Sequence, residues 1–513
     1  MTQQKMTAQE IEQLTAKLIP ESELQPESID QIVKLPAFAE KMKACEQVCQ
    51  TSYSEIDFAL QDALTLRRLQ QMSNTVLLNP LWKERLAAAG ITKAPVNMEE
   101  WQQMPIMDKN GQAEYFMGQR LGLVVPLHYG GFEIVASGGT TNGLPVEIVY
   151  SLRELHDTYR VAGHFLWHYM LNRYLTEEGP KWLATTLADF QMWSSGTMVG
   201  GVLQHVPNIN YVGAGPMMKE TYHHMMCYEG QKAIMGITAS IALLADFGIG
   251  LPQEACNSFR VAMYGSGVLT NRKRMELKEV YPNIDILSYF AATQAEAIGL
   301  QLDAQSPCLA TVPGLHLVEV VGDKGHWVNE GEEGELVVTR LHAHEAPLIR
   351  FKVGDRVIRR PNIDGSGLKT IQFEFAGRSG DVIHLCDTQY ATKRVYDGLC
   401  RMLKEANVLD LDKEAHEVQI INHRRYKTLS MIASVDDVSD LNRKLQNMLG
   451  APGVHRLFIE ALIGSLSMFN QGEANAYTIE KTGYCFDIKL VPVFSEEIFR
   501  TNLGKVPLLR DIF

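Results

Sequence analysis

The 513-residue chain has no apolar run approaching the roughly 20 residues needed to cross a bilayer, so no membrane partner is expected. Its start, Met1-Thr2-Gln3-Gln4-Lys5, leads into polar and acidic residues and carries no signal-peptide apolar stretch. Positive charge is scarce as well. A net charge of −12, with no basic stripe interleaved with aromatics, argues against a nucleic-acid partner. Cysteines are few and scattered, at 45, 49, 227, 256, 308, 386, 400 and 485, and none forms a CxxC pair. His223-His224-Met225-Met226-Cys227 has ligand-type side chains but no second Cys/His cluster, so no zinc site is expected. Reduced cysteines and a cytoplasmic location are the corresponding expectations.

What the chain has in quantity is core. Hydrophobic residues make up 46% and charged residues 21%, and the length implies two to four folding units. From Thr7 to about Gly90 the spacing of apolar residues is helical, as in Ile56 to Met72. Between 100 and 350, β-rich runs alternate with helix-length segments. Trp182–Leu187, Phe259–Tyr264 and Ile284–Ser288 read as strands, and Ile234–Ala245 and Asn271–Val280 as helices. That alternation points to an α/β domain with a largely parallel sheet. After Gly331 the texture becomes purely β, with strands at Glu335–Thr339, Arg356–Arg360 and Lys369–Phe375. The chain restarts after Gly377-Arg378-Ser379-Gly380-Asp381, where two glycines bracketing Arg378 suit a hinge, and His416–Ile421, Thr428–Val435, Val438–Leu449 and Phe486–Val491 suggest a small α+β domain.

Three glycines and several hydroxyls crowd into Ser137-Gly138-Gly139-Thr140-Thr141-Asn142-Gly143. Such a run lets backbone N–H groups turn inward around an anion, and the hydroxyls add donors. The flanks, Phe132–Ala136 and Val146–Tyr150, read as strands, so the loop hangs between two strands, unlike a Walker loop opening a helix. Taken alone, it also fits an ordinary hairpin turn.

The order of motifs resembles that of the adenylate-forming superfamily of acyl-CoA synthetases and luciferases, and within it the phenylacetate–CoA ligase-like branch. The 137–145 loop is similar to the family's phosphate loop, and Pro347-Leu348-Ile349-Arg350-Phe351-Lys352-Val353-Gly354-Asp355 to its P-x-I-R-[YF]-[RK]-x-G-D motif. Gly377–Asp381 matches the G-R-x-x-D hinge, and Gly504-Lys505 the motif carrying the catalytic lysine. The resemblance implies an α/β fold: a large multi-layered adenylation domain with a helical lead-in, plus a small α+β C-terminal domain. The expected divisions are a helical extension and lead-in at 1–100, an adenylation core at 101–377 and a mobile domain at 378–513. It implies ATP, Mg²⁺ and CoA as cofactors, and a carboxylic acid, aromatic by analogy with the branch, as substrate. Lys505 would bridge the acid and the α-phosphate, and Asp355 would accept the ribose hydroxyls. Gly265-Ser266-Gly267 would approach the adenine, and Arg378 would reach the ribose or phosphates from the hinge. The segment Tyr211 to Met218 is similar to the branch's small-residue wall, whose glycines would leave room for a planar ring, and Met217, Met218 and Trp193 would line an apolar acid pocket.

Three departures stand out. Asn142 is inserted in the loop, and Val146 stands where many relatives carry lysine. The family's Y-G-x-[ST]-E becomes Ser288-Tyr289-Phe290-Ala291-Ala292-Thr293-Gln294-Ala295-Glu296, which leaves the metal position to Gln294 or Glu296. Glu296 is favoured because Mg²⁺ prefers a charged oxygen, with Thr293 beside it. Tyr289 or Phe290 is then the adenine-stacking ring. The first fifty-odd residues are extra, and cap the domain or pair two chains as a homodimer. Competing readings are an acyl transfer to a carrier-protein or enzyme thiol, and a silent nucleotide- or acyl-binding homologue.

Overall fold

In the computed structural model, residues 6–137, 146–190, 192–365, 367–385, 388–465, 475–501 and 505–513 are described. The alternating pattern of the middle of the chain becomes a parallel half-sheet. Strands Lys181–Thr185, Asn210–Gly213, Gln231–Ile237, Phe259–Gly265 and Asp285–Ala292 run parallel, joined by helices that include Ser195–Gln204, Thr238–Gly248 and Asn271–Val280. Both faces of Gln231–Ile237, Phe259–Gly265 and Asp285–Ala292 are covered, which is why these strands are mostly apolar. Ala233, Met235, Val261, Met263 and Leu287 pack towards helices Leu152–Tyr169 and Ser195–Gln204, while Ile234, Ala262 and Ile286 pack towards the helices of the other face.

Strand Asp285–Ala292 then pairs antiparallel with Glu296–Leu300, and the sheet continues through Leu309–Ala310, Lys369–Arg378, Phe351–Asp364, Glu333–Arg340 and His316–Val321 to a total of 11 strands. The expected helix at Ile234–Ala245 is corrected: the segment is a strand to Ile237 and a helix only from Thr238. A continuous apolar run carries no periodicity that separates a buried strand from a buried helix.

Strands Phe132–Ser137 and Val146–Ser151 form their own antiparallel pair, Ser137 opposite Val146, so the Gly/Thr segment joins two paired strands. The helices Ala8–Leu18, Phe38–Cys49 and Phe58–Val76 do not form a core of their own. Leu14, Leu18, Phe38, Leu64 and Met72 belong to one apolar cluster with Val149, Leu336, Phe351 and Phe373. Buried Arg68 ties this layer to the sheet by donating to the carbonyls of Leu341 (2.7 Å) and Ala343 (3.0 Å).

Beyond Arg378 a hairpin, Val382–Leu385 with Thr388–Ala391, leads into a second core. Its four-stranded sheet pairs Ala415–His423 with Thr428–Val435 antiparallel, and adds Cys485–Pro492 and Leu509–Ile512 as parallel outer strands. The seven described cysteines are free, and no group of metal-ligating side chains occurs among the described residues. No described helix is long and apolar enough to cross a membrane.

Candidate active site

Open parallel sheets bind ligands outside the carboxyl ends of their strands. Here those ends are Thr185, Gly213, Ile237, Gly265 and Ala292. Ser266, directly after strand Phe259–Gly265, holds φ +66°, and the flanking Gly265 and Gly267 allow the tight turn. Thr238 Oγ1 donates to the Gly265 carbonyl at 3.0 Å and fixes that turn to the neighbouring strand end.

Lys505 comes to this edge from the small domain. Its ammonium stands 5.3 Å from the centre of the Trp193 ring, within cation–π reach. Trp193 belongs to a tight turn in which Phe190 and Trp193 exchange two backbone hydrogen bonds of 2.9 Å. The carbonyl of Met192 in that turn accepts from the Ala136 N–H at 2.8 Å, so the lysine's landing point is coupled to the strand entering the Gly/Thr segment. Burial, with the Arg378 charge second, lowers the Lys505 pKa to about 8. The lysine's loop is pinned by fully buried Gln419, which donates to the carbonyls of Phe499 (3.3 Å) and Pro507 (3.0 Å) and accepts from the Phe499 N–H (3.0 Å). No motif marks Gln419; only the fold reveals it.

Asp355 and Arg378 face each other across neighbouring strands, with Nε 3.5 Å from Oδ1. Burial pushes the Asp355 carboxyl up, against the pull of Arg378 and Lys109. The arginine of the P-x-I-R motif has a different task. Arg350, at φ +44°, is buried with Glu319 (3.1 Å) and donates to the carbonyls of Met104 (2.8 Å) and Gly325 (2.6 Å). It clamps the root of the strand that carries Asp355.

The two metal candidates have different environments. The Gln294 amide is buried and spent on Gln112, 3.2 Å away. Glu296 holds φ +41°, a region non-glycine residues seldom occupy, and its buried Oε1 has no hydrogen-bond partner. Burial raises its carboxyl to about 7 despite Arg340 and Thr158. An orphaned, buried carboxylate oxygen has the chemistry of a cation ligand. Thr293, half-buried beside it, accepts from the Tyr150 hydroxyl through its carbonyl at 2.6 Å.

Other expectations fare differently. Tyr289 is enclosed against Gly265, with its hydroxyl on the Gly236 carbonyl at 3.2 Å, which leaves it no face for an adenine; half-buried Phe290 packs edge-on against Phe373. Met217 packs with the cluster on the opposite face of the sheet from Tyr211, and Met218 is exposed, so the two methionines do not line one pocket with Trp193. His223 is spent on the Phe247 carbonyl at 2.7 Å. Gly138, Gly139, Thr140, Thr141, Asn142, Gly143 and Gly504 lie outside the described residues, as does the side chain of Ser137.

The two domains meet at a polar contact as well. His416 of the small domain lies 2.8 Å from Asp436 and 3.6 Å from Glu276, and Arg272 pairs with both Glu276 (2.8 Å) and Asp436 (3.2 Å). Glu333 on the large sheet also bridges Arg356 and, across the domains, Arg394.

No family model and no curated protein matches the sequence. Solved structures do. 2-Hydroxyisobutyryl-CoA ligase in its postadenylation state, in complex with R3-HIB-AMP, superposes with a TM-score of 0.67 at 15% identity, over 89% of this chain and 91% of that one. The chain has the fold of the adenylate-forming acyl-CoA ligases. Within that fold, the open form of the same ligase scores 0.58 (15% identity, 88% of this chain and 92% of that one). Its thioesterification form scores 0.55 (15% identity, 90% and 91%). The anthranilate CoA ligase AuaEII, in complex with anthranoyl-AMP, matches at 0.45 and 15% identity over 73% of this chain and 64% of that one.

Proposed function

We propose that this protein is an AMP-forming acid–thiol ligase that activates a carboxylic acid with ATP and passes the acyl group to CoA. The observation that carries the reading is Lys505, delivered by the small domain to the strand-end edge of the large one, over Trp193 and near Arg378. In the first step the acid's carboxylate oxygen attacks the α-phosphorus. A P–O bond forms, the bond to the β-phosphate oxygen breaks, and pyrophosphate leaves with that electron pair. Two anions must meet, so fixed positive charge in a dry site does the work, and Lys505 with Arg378 supplies it. In the second step a thiolate attacks the acyl carbonyl and AMP departs.

Asp355 accepts the ribose hydroxyls, Gly265-Ser266-Gly267 borders the base, and the Gly/Thr segment is assigned the phosphates on sequence grounds. Glu296 would hold Mg²⁺, which supplies charge neutralisation at the phosphates when bound. CoA as acceptor is supported by the fold shared with 2-hydroxyisobutyryl-CoA ligase, one of whose structures contains CoA. The test is pyrophosphate release from ATP and Mg²⁺ across a panel of acids, with and without CoA. Acid-dependent release with CoA-dependent thioester is expected. Release that CoA neither accelerates nor converts to thioester would redirect the acyl group to a protein thiol, and nucleotide binding without turnover on any acid would make this a silent homologue.

A further inference from the structure

Among the described residues, strand Val146–Ser151 has a ladder on one side only, with Phe132–Ser137. Side chains anchor it to the rest of the domain. Fully buried Gln112, on helix Lys109–Phe116, donates to the Glu147 carbonyl at 2.8 Å. Buried Arg340 donates to the Val149 carbonyl at 3.1 Å, and its guanidinium lies 4.1 Å from the centre of the Tyr150 ring.

Two of these residues reach on to the turn that presents Glu296. The Gln112 amide oxygen accepts from the Gln294 amide at 3.2 Å, and the Tyr150 hydroxyl donates to the Thr293 carbonyl at 2.6 Å. The turn is closed by the Ala295 N–H on the Ala292 carbonyl at 3.0 Å and ends at Glu296, at φ +41°. A glutamate stays in that conformation only where its surroundings hold it. The Gln112–Gln294 bond is also directional. Gln112 spends its N–H on Glu147 and keeps an acceptor, so position 294 must supply a donor. A glutamate at 294 would set a carboxylate against an amide oxygen. Gln294 is thus suited to bolting the turn, and leaves Glu296, whose Oε1 has no partner, to face a cation.

We infer that Gln294, Gln112 and the Tyr150 hydroxyl are positioning residues. They fix the Glu296 carboxylate relative to the strand that leaves the Gly/Thr segment, so that cation and nucleotide phosphates bind cooperatively. The inference rests on the reading of Glu296 as the Mg²⁺ residue of a ligase.

Titration calorimetry without any acid tests it, comparing the affinity for ATP with Mg²⁺ to that for ATP in EDTA. The ratio of the two isolates what the metal adds to nucleotide binding. The wild type should bind Mg·ATP more tightly, and Glu296→Gln should abolish that preference. Tyr150→Phe and Gln294→Met should each lower the ratio by about threefold to tenfold, the scale of one hydrogen bond. Their affinity for metal-free ATP should stay close to that of the wild type, whereas a merely structural loss would weaken both forms alike. Gln294→Glu should lower the ratio too, although it adds a carboxylate. A wild-type ratio in Tyr150→Phe or Gln294→Met overturns the inference, as does a Gln294→Glu that raises it. With Glu296→Gln still defective, the Mg²⁺ reading survives either result. A wild-type ratio in Glu296→Gln, or a wild type indifferent to Mg²⁺, removes that reading and the inference together. Should the Gln294 variants fail to fold, Tyr150→Phe, which loses a single oxygen, still decides.

Discussion

On the proposed roles, two ionisable residues set the pH window of activity. Lys505 must be charged to serve, and with its pKa lowered to about 8 it loses its proton as pH rises through that value. Glu296 must be ionised to hold a cation, and with its carboxyl raised to about 7 it becomes competent only as pH rises through that value. The kcat/KM of the free enzyme should therefore follow a narrow bell with its maximum between about 7 and 8. Replacing Glu296 by Gln should remove the acidic limb along with most Mg²⁺-dependent activity. A flat profile from pH 6 to 9 would contradict both assignments. At this scale the motifs name residues that the fold places within reach of one another: Arg378 lies 3.5 Å from Asp355, and its charge acts on Lys505. The sequence was silent where partners come from distant chain. Gln419 bonds to residues some 80 positions away, and nothing around it marks the role. Tyr289 against Phe290 was a choice of strand face, and a slipped register between Phe290 and Ala291 hides that from an alternation count.

Among elements, the strand Phe351–Asp364 carries the most. It brings Asp355 opposite Arg378, and its root depends on the buried Arg350–Glu319 pair, to which Trp101 and Trp327 also donate (3.3 and 2.8 Å). Removing one partner strands a buried charge. Arg350→Met should therefore destabilise the fold by about 3–5 kcal/mol, measured by denaturant unfolding, whereas the double change Arg350→Met with Glu319→Leu should recover part of the loss. An arginine variant as stable as the wild type would mean that the motif's arginine serves the substrate instead. Elements were readable where periodicity was clean: helix Asn271–Val280 and strand Thr428–Val435 match the sequence reading end to end. They were misread at Ile234–Ala245, because burial on both faces removes the period that identifies a strand.

At the scale of the whole molecule, the working arrangement is a small domain held against a large one. In that arrangement Lys505 of the small domain lies over Trp193 of the large one. The contact includes the His416–Asp436–Arg272–Glu276 cluster. Such partly exposed pairs are weak singly. Asp436→Ala should slow acyl-adenylate formation by about two- to fivefold while leaving transfer from preformed acyl-adenylate unchanged, and the effect should shrink at high salt. An equal loss in both half-reactions would assign Asp436 to stability alone. The sequence announced two domains through the glycines around Arg378, but the contact between them joins residues about 140 to 160 positions apart and is invisible without the fold.

The most direct test of the account separates the two half-reactions in Lys505→Ala. Acyl-adenylate formation, followed as acid-dependent exchange of labelled pyrophosphate into ATP, should fall by about 100-fold or more, the cost of removing a preorganised charge from a developing one. Thioester formation from supplied acyl-adenylate and CoA should stay close to the wild-type rate. Exchange that survives the substitution intact would contradict the central claim that this lysine joins the acid to the α-phosphate.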